Sequence, residues 1–256
     1  MLHSIKELHG HSLEATDGSI GHVHAFYFDD TSWTVRYVVV DTGTWLPGRR
    51  VLISPTAFGR FSTETDQLPV HLSKEQVEQS PHIDTDQPVS RQHETALHEY
   101  YEWPVYWGAL SPVKAGSAAL PPPAIADAEA SEQADPTLRS TEEVIDYYIH
   151  ARDGDLGHVA DFLVDDENWT IRYLVVDTRN WWPGKKVLVH PQWITEVSWG
   201  EAKVYVDLTQ EEIKNSPAFD PAVTIDRPYE EQLFDHYGRP TYWSSRQKEA
   251  HEPHDI

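Results

Sequence analysis

The sequence contains an internal duplication. Residues 18–23, 33–42 and 45–52 recur at 154–159, 169–178 and 181–188. In every block, residue n of the first copy corresponds to residue n + 136 of the second, without a gap from residue 18 to residue 107. Self-similarity at one fixed spacing indicates two structural units of the same kind. The duplication therefore predicts two like domains.

The duplication also sets the predicted domain boundaries. We predict repeat 1 over residues 1–107 and repeat 2 over 140–243, with a joining segment at 108–139 and a polar tail at 244–256. The joining segment contains three consecutive prolines, many alanines and few large aliphatic residues. Such a composition cannot bury enough apolar surface to offset the entropy lost on ordering, so it predicts a linker.

The front of each repeat has the pattern of β-strands. In repeat 1, Asp17-Gly18 is a hairpin signal, and residues 21–28 are rich in β-branched and aromatic types. A turn at 29–32 precedes a strand over 33–41 whose far end is apolar on both faces. A strand buried on both sides is typical of a small barrel or a tightly curled sheet. Pro47-Gly48 fits a type II turn before the next strand.

The back of each repeat changes to helix. Ser73-x-x-Gln76 and Thr209-x-x-Glu212 are capping boxes, which mark helix starts. A second helix is predicted at about 90–101 and again at 226–237, where Gly238 suits a left-handed C-terminal cap. The predicted fold class is mainly β with short helices: two tandem small β-barrels, each followed by one or two short α-helices.

Composition excludes several classes of protein. The chain carries 20 Lys and Arg against 42 Asp and Glu, a formal charge of −22, which argues against direct binding of nucleic acid through phosphate contacts. It has no cysteine, so disulfides and Cys-ligated metal sites are excluded. No apolar run approaches the roughly 20 residues of a transmembrane helix, and the start lacks a signal-peptide pattern. We expect an acidic cytoplasmic protein with no transmembrane segment.

The repeated motifs resemble a known family. The order Gly-x-x-Gly-His-Val, Asp-Asp, Trp-x-x-Arg-Tyr-x-Val-Val-Asp-Thr and Trp-x-Pro-Gly-x-x-Val-Leu resembles the PRC-barrel family, over about 4–80 and 140–216. The resemblance implies the fold of the cytoplasmic domain of the photosynthetic reaction-centre H subunit and of the C-terminal domain of RimM-type ribosome-maturation factors. The endings at 104–107 and 240–243 look like those of bacterial tandem PRC-barrel proteins. One barrel serves unrelated roles, so the resemblance implies a fold and leaves function open.

Candidate catalytic and metal-binding groups have simpler interpretations. Asp29-Asp30 and Asp165-Asp166 fit turns between strands, because adjacent strand residues point to opposite faces. Arg36 and Arg172 fit structural stacking on a ring or pairing with a carboxylate. The candidates for a metal site are His9, His11, His22 and His24. We predict no catalytic residue, no cofactor and no metal site, and this histidine cluster is the alternative.

A partner surface is the stronger expectation. Trp and Tyr bury large areas at interfaces, and the chain has ten tryptophans. Basic doublets follow the Pro-Gly turns. The predicted interaction residues are Trp45, Trp107, Trp181, Trp182 and Trp243, with Arg49, Arg50, Lys185 and Lys186.

The sequence therefore predicts a non-enzymatic protein-interaction or scaffold module. Its two barrels would pair with each other within the chain or in a homodimer. Three alternatives stay open. The first is a reaction-centre H-like role that modulates electron or proton transfer in a photosynthetic membrane complex. The second is binding to a basic ribosomal protein, as in ribosome maturation. The third is a metal-binding protein or enzyme that uses the histidine cluster.

Overall fold

The computed structural model describes residues 1–61, 66–82, 89–107, 137–178 and 185–244. The chain divides into two compact units. One, the repeat-1 unit, is Glu7–Thr141, and the other, the repeat-2 unit, is Met1–Lys6 together with Glu142–Ile256. Within the described residues, no helix is both long enough and apolar enough to span a bilayer.

Both units are mainly β with short helices, as predicted. The strands are β1 (Leu2–Ser4), β2 (Ser12–Ala15), β3 (Gly18–Asp29), β4 (Thr34–Asp41), β5 (Arg50–Ile53), β6 (Gln67–Pro69), β7 (Leu138–Ser140), β8 (Tyr148–Ala151), β9 (Gly154–Asp165), β10 (Ile171–Asp177), β11 (Lys186–Val189), β12 (Ile194–Ser198) and β13 (Lys203–Val206). The helices are α1 (Ile5–Leu8), α2 (Lys74–Glu78), α3 (Arg91–Tyr101), α4 (Thr141–Val144), α5 (Gln210–Asn215) and α6 (Arg227–His236).

Each unit is built on one curled sheet. The strand order is β5-β4-β3-β2-β6 in the repeat-1 unit and β11-β10-β9-β8-β13-β12 in the repeat-2 unit. In the repeat-1 unit, the chain leaving edge strand β5 pairs with the chain leaving the other edge strand, through the bridge between Phe58 and Val70. In the repeat-2 unit, β12 follows β11 after a single 3₁₀ turn. The two ends of each sheet are thus brought together, as in a small barrel.

Strand β4 is buried on both faces, which confirms the prediction made from its apolar far end. Val38 and Val40 are buried on one face, while Tyr37 and Val39 on the other join a cluster with Leu97 of α3. Helix α3 covers the outer face of β4. Burial of each large side chain there contributes about 1.5–3 kcal/mol to the stability of the fold. The helix that follows the barrel is therefore part of the core.

The helix ends follow the predicted local chemistry. Both capping boxes are present, at Ser73 for α2 and at Thr209 for α5. Gly238, just beyond α6, has φ +59°, as a left-handed cap requires. Its counterpart after α3 is Glu102, which adopts φ +57° despite having a side chain. One predicted strand start is different: Trp33 has φ +53°, so β4 begins at Thr34.

The leading strands cross between the repeats. Strand β1 pairs antiparallel with β9, and β7 pairs antiparallel with β3. Leu2 lies opposite Asp165, and Leu138 lies opposite Asp29. The two pairs are equivalent, because Leu138 is the n + 136 counterpart of Leu2 and Asp165 is that of Asp29. Each compact unit therefore contains the leading strand of the other repeat. The segment predicted as a linker ends within β7, and most of it lies outside the described residues.

Candidate functional site

A buried carboxylate in the repeat-1 unit accepts hydrogen bonds from two tyrosine hydroxyls. Glu94, on the inner face of α3, is 0% exposed. Tyr37, on β4, donates its hydroxyl hydrogen to Glu94 Oε2 at 3.0 Å, and Tyr106 donates to the same oxygen. Arg91, one turn before Glu94, places Nη1 3.2 Å from Oε1. Charge and hydrogen bonding together compensate the desolvation of this carboxylate.

The repeat-2 unit builds the same arrangement from the equivalent residues. Tyr173 donates to Glu230 Oε1 at 2.8 Å, and Tyr242 donates to that oxygen at 3.0 Å. Arg227 Nη1 lies 3.6 Å from Glu230 Oε2. Each of these residues is the n + 136 counterpart of one in the first cluster. We call the two sets the Tyr–Glu–Tyr clusters.

The phenols of these clusters are held in their protonated form. Burial raises the pKa of Tyr37 and of Tyr173 far above the usual range of a tyrosine, and the charge of the adjacent glutamate adds to this shift. The same two causes raise the pKa of Tyr242 to about 12. A protonated phenol is a hydrogen-bond donor, so it matches the acceptor oxygens of the glutamate. In each cluster the glutamate therefore serves as the acceptor for two phenols.

Guanidinium groups cover the outer tyrosine of each cluster. Arg36 lies 4.0 Å from the ring centre of Tyr106, and Arg172 lies 4.6 Å from that of Tyr242. Arg172 also donates from Nη2 to Asp165 at 2.7 Å. The predicted structural use of Arg36 and Arg172, stacking on a ring and pairing with a carboxylate, is confirmed.

A tryptophan follows the outer tyrosine and reaches the surface in each unit. Arg91 stacks over Trp107 at 4.5 Å from the ring centre, and Arg227 stacks over Trp243 at 4.1 Å. Both rings are half-buried. We call each of these pairs an Arg–Trp surface; each unit has its own. Cation–π contacts of this kind contribute about 0.5–1 kcal/mol at exposed sites and hold the ring in one orientation.

The two clusters differ in the source of a neighbouring imidazole. In the repeat-1 unit, His98 of α3 places Nε2 2.9 Å from the Tyr37 hydroxyl. The counterpart of His98 is Phe234, and the repeat-2 unit instead supplies His190 from the end of β11, with its ring stacked on Tyr242. Burial lowers the pKa of His98, and burial lowers that of His190 to about 3. Both imidazoles are therefore neutral at neutral pH.

The first residue of each predicted basic doublet binds backbone carbonyls at a helix end. The Arg49 guanidinium donates to the carbonyls of Glu78 and Ser80, both at 2.6 Å. Lys185 donates to the carbonyl of Ser216 at 2.5 Å. These two cations cap the C-terminal ends of α2 and α5. Their sequence neighbours, Arg50 and Lys186, begin strands β5 and β11 and are half-buried.

The other predicted interaction tryptophans lie outside the Arg–Trp pairs or outside the described residues. Trp45 lies under the Lys74 ammonium group, 4.6 Å from its ring centre, and is not in either Arg–Trp pair. Trp181 and Trp182 lie outside the described residues. Of the predicted interaction tryptophans, only Trp107 and Trp243 are placed in equivalent described positions.

The candidate metal residues are only partly brought together. The rings of His9 and His24 lie 6.2 Å apart, and His11 Nε2 lies 3.5 Å from Asp66. In the part of the chain that the structure describes, no three His, Asp or Glu side chains converge in a way that could hold a metal ion. Asp29 accepts hydrogen bonds from the backbone N–H groups of Thr31 and Ser32, which confirms the turn interpretation.

Sequence reasoning did not identify Glu94 or Glu230. A signal for them exists in the printed sequence: Arg91-x-x-Glu94 and Arg227-x-x-Glu230 match at the common offset, although the residues between them differ. The same offset relates Tyr37 to Tyr173. A residue-by-residue alignment of the two helices would have drawn attention to an acidic side chain on the predicted inner face.

A family model matches part of the chain. The model described as the PRC-barrel domain matches residues 142–213, which include strands β8 to β13 and the first part of α5. A search of curated proteins finds no match to the chain.

Proposed function

We propose that this chain, whose residues 142–213 match the PRC-barrel domain model, is a non-catalytic protein-interaction module that binds its partner through the Arg–Trp surface of each unit. Repeat 1 supplies a second unit of the same construction. The observation that carries the proposal is the duplicated cluster: each unit uses a buried glutamate to fix a tyrosine, and the next residue along the chain is the half-buried tryptophan.

The polar groups of the two Tyr–Glu–Tyr clusters are engaged with one another. Glu94 and Glu230 each accept from two phenols and face an arginine. Asp29 closes a turn, and Asp165 pairs with Arg172. Catalysis needs an acid, base or nucleophile with spare capacity facing a substrate. The Tyr–Glu–Tyr clusters have no such orientation, which supports a binding role.

Each Arg–Trp surface has the residue types and the rigidity of a binding hot spot. Trp, Tyr and Arg dominate the energetically important positions of protein interfaces. Trp107 and Trp243 are each stacked by an arginine, so a partner would find their rings already oriented. Preorganised side chains lose less conformational entropy on binding, and more of the contact energy then appears as affinity.

The charge of the chain indicates the nature of the partner. A formal charge of −22 repels nucleic acid and attracts proteins of opposite sign, chiefly by raising the association rate. Two equivalent surfaces in one chain also allow bivalent capture of a repeated or dimeric partner. We therefore propose a basic protein, bound by stacking and apolar contacts at each tryptophan after electrostatic attraction.

The test is affinity capture from a lysate of the source cells with immobilised protein. We expect the W107A/W243A double variant to retain at least about tenfold less of a specific partner than the wild type does, because truncating a hot spot costs about 2 kcal/mol or more of binding free energy. Each single variant should retain an intermediate amount if both units bind. A retained ribosomal protein or photosynthetic component would identify which of the family's known settings applies.

The control for this test is Y148A. Tyr148 is 52% exposed on β8 and belongs to neither cluster. Circular dichroism should show that all variants remain folded. Equal retention by the wild type and by W107A/W243A, or equal loss with Y148A, would contradict the proposal.

A further inference from the structure

The exchanged leading strands reveal a second binding surface, independent of the Arg–Trp surfaces. Residues Leu2–Ser4 lie on Leu163–Asp165 of β9, and residues Leu138–Ser140 lie on Tyr27–Asp29 of β3. In both cases the strand comes from a segment more than one hundred positions away in sequence. The two acceptor stretches are counterparts at n + 136, and so are the two bound strands. We call the stretches 27–29 and 163–165 the acceptor edges.

Both acceptor edges bind strands with the same sequence character, Leu-basic-Ser. His3 Nε2 lies 3.1 Å from Asp166 Oδ2, and Arg139 Nε lies 3.4 Å from Asp30 Oδ2. The carboxylate in each case is the residue immediately after the acceptor edge. The backbone ladder supplies the common binding energy of strand addition, and the basic side chain fixes the register.

The leucine and serine positions add contacts that differ between the units. Leu138 packs into the cluster that contains Tyr37. The hydroxyl of Ser4 donates to Asp161 Oδ2 at 2.5 Å, and the backbone N–H of Lys6 donates to Asp161 Oδ1 at 3.2 Å. The counterpart of Asp161 is Ala25, which cannot make these bonds. Backbone pairing and a side-chain contact with a carboxylate are therefore common to both acceptor edges, and the contacts to Asp161 are specific to β9.

We propose that the acceptor edges are strand-addition sites that also accept the leading strand of a second copy of this chain. Each bound strand is held by pairing and side-chain contacts, and sequence adjacency plays no part in them. A second copy offers strands with the same Leu-basic-Ser sequences. Exchange between chains therefore forms the same contacts as exchange within one chain and produces a strand-swapped dimer.

Mass action decides between the two arrangements. Covalent connection within one chain raises the effective concentration of each leading strand at its acceptor edge, which favours exchange within the chain in dilute solution. Exchange between chains should thus be captured when the protein folds at high concentration, and it should be slow to revert because both acceptor edges must open first. The native chain lacks cysteine, so introduced thiols report the pairing without background.

The experiment uses the full-length chain with Tyr27 and Ser140, which lie directly opposite each other. The double variant Y27C/S140C is oxidised first. A disulfide within one chain is expected, because opposite residues of a strand pair approach closely enough for a disulfide. Failure to form any disulfide in this variant, folded by circular dichroism, would overturn the strand pairing itself.

The second arm mixes two single variants, Y27C and S140C, in denaturant and refolds them together at high concentration before oxidation. We expect disulfide-linked dimers at least about fivefold above a matched mixture of Y27C with V223C. Val223 is 62% exposed and belongs to no strand. Light scattering on refolded wild type should show dimers that increase with refolding concentration. Cross-linking equal to the V223C mixture, or monomers at every concentration, would overturn the proposal.

Discussion

The two Tyr–Glu–Tyr clusters share one hydrogen-bonded frame and fill the space beside it differently. Phenols, glutamate and arginines are identical in type and position. Beside the buried tyrosine, the repeat-1 unit has His98 and Ser54, whereas the repeat-2 unit has Phe234 and His190. The repeat-2 unit has rings at both positions, whereas the repeat-1 unit has a ring only at His98. The comparison teaches that the residue types of the hydrogen-bonded frame are kept in both repeats, whereas the residues packed beside it can differ in size and chemistry.

The largest effect that tests this comparison is removal of the shared carboxylate. We expect Glu94→Ala and Glu230→Ala each to lower the free energy of unfolding by about 3–5 kcal/mol, because each leaves two phenols without the carboxylate that accepts their hydrogen bonds. Urea denaturation followed by tryptophan fluorescence measures this. Glu99→Ala, on the exposed face of α3, is the matched control and should change the free energy by less than about 0.5 kcal/mol. A loss below about 1 kcal/mol at either glutamate would show that the two clusters do not stabilise their units to a similar extent.

A smaller effect separates the clusters by pH. The pKa of His190 is about 3 in the folded protein, against about 6.5 when unfolded. Between these values the unfolded state binds more protons, so stability falls as the pH is lowered from 6.5 towards 3. At pH 4.5 this one histidine should cost about 2–3 kcal/mol relative to pH 7.

The substitution His190→Ser, which installs the residue of repeat 1, should reduce the loss of stability between pH 7 and pH 4.5 by that amount. The measurement is the urea midpoint at both pH values. His93→Ser, at an exposed position of α3, should leave the loss unchanged. If His190→Ser and the wild type lose equal stability on acidification, the neutral state assigned to His190 is wrong.

The smallest effect concerns the helix ends. Glu102 and Gly238 occupy the same left-handed position, with φ +57° and +59°. A side chain in this region costs about 1 kcal/mol relative to glycine, so Glu102→Gly should raise the free energy of unfolding and Gly238→Glu should lower it by about that amount. Nothing lies within 4 Å of a Cβ built on Gly238, so the penalty is conformational. Thermal unfolding of both variants provides the measurement, and shifts of the same sign would contradict it.

Local features were predictable from the sequence, and long-range partnerships were not. Ser73, Thr209 and Gly238 act through neighbouring backbone groups, so their types and positions suffice to predict them. Tyr37 and Glu94 meet only because α3 covers β4, and no local pattern encodes that contact. The three residues of β7 are too few to show a strand period, and their partner is fixed by tertiary structure.

The interaction surface was half predicted for the same reason. Trp107 and Trp243 were selected because tryptophan is common at interfaces and because both repeats end with it. The basic doublets were selected by type alone, yet Arg49 and Lys185 are used by backbone carbonyls at helix ends. Residue type shows what a side chain can bind, whereas the fold decides what is within its reach.

The placement of β1 has a consequence for how the protein is made. Residues Leu2–Ser4 are among the first of this sequence to leave the ribosome, but their acceptor on β9 is synthesised about 160 residues later. At about 5–20 residues per second, that segment waits on the order of ten seconds or more before its site exists. The repeat-1 unit likewise remains open until β7 emerges. Nascent chains therefore carry vacant sheet edges during translation, and neighbouring chains on one polysome are each other's nearest source of a strand.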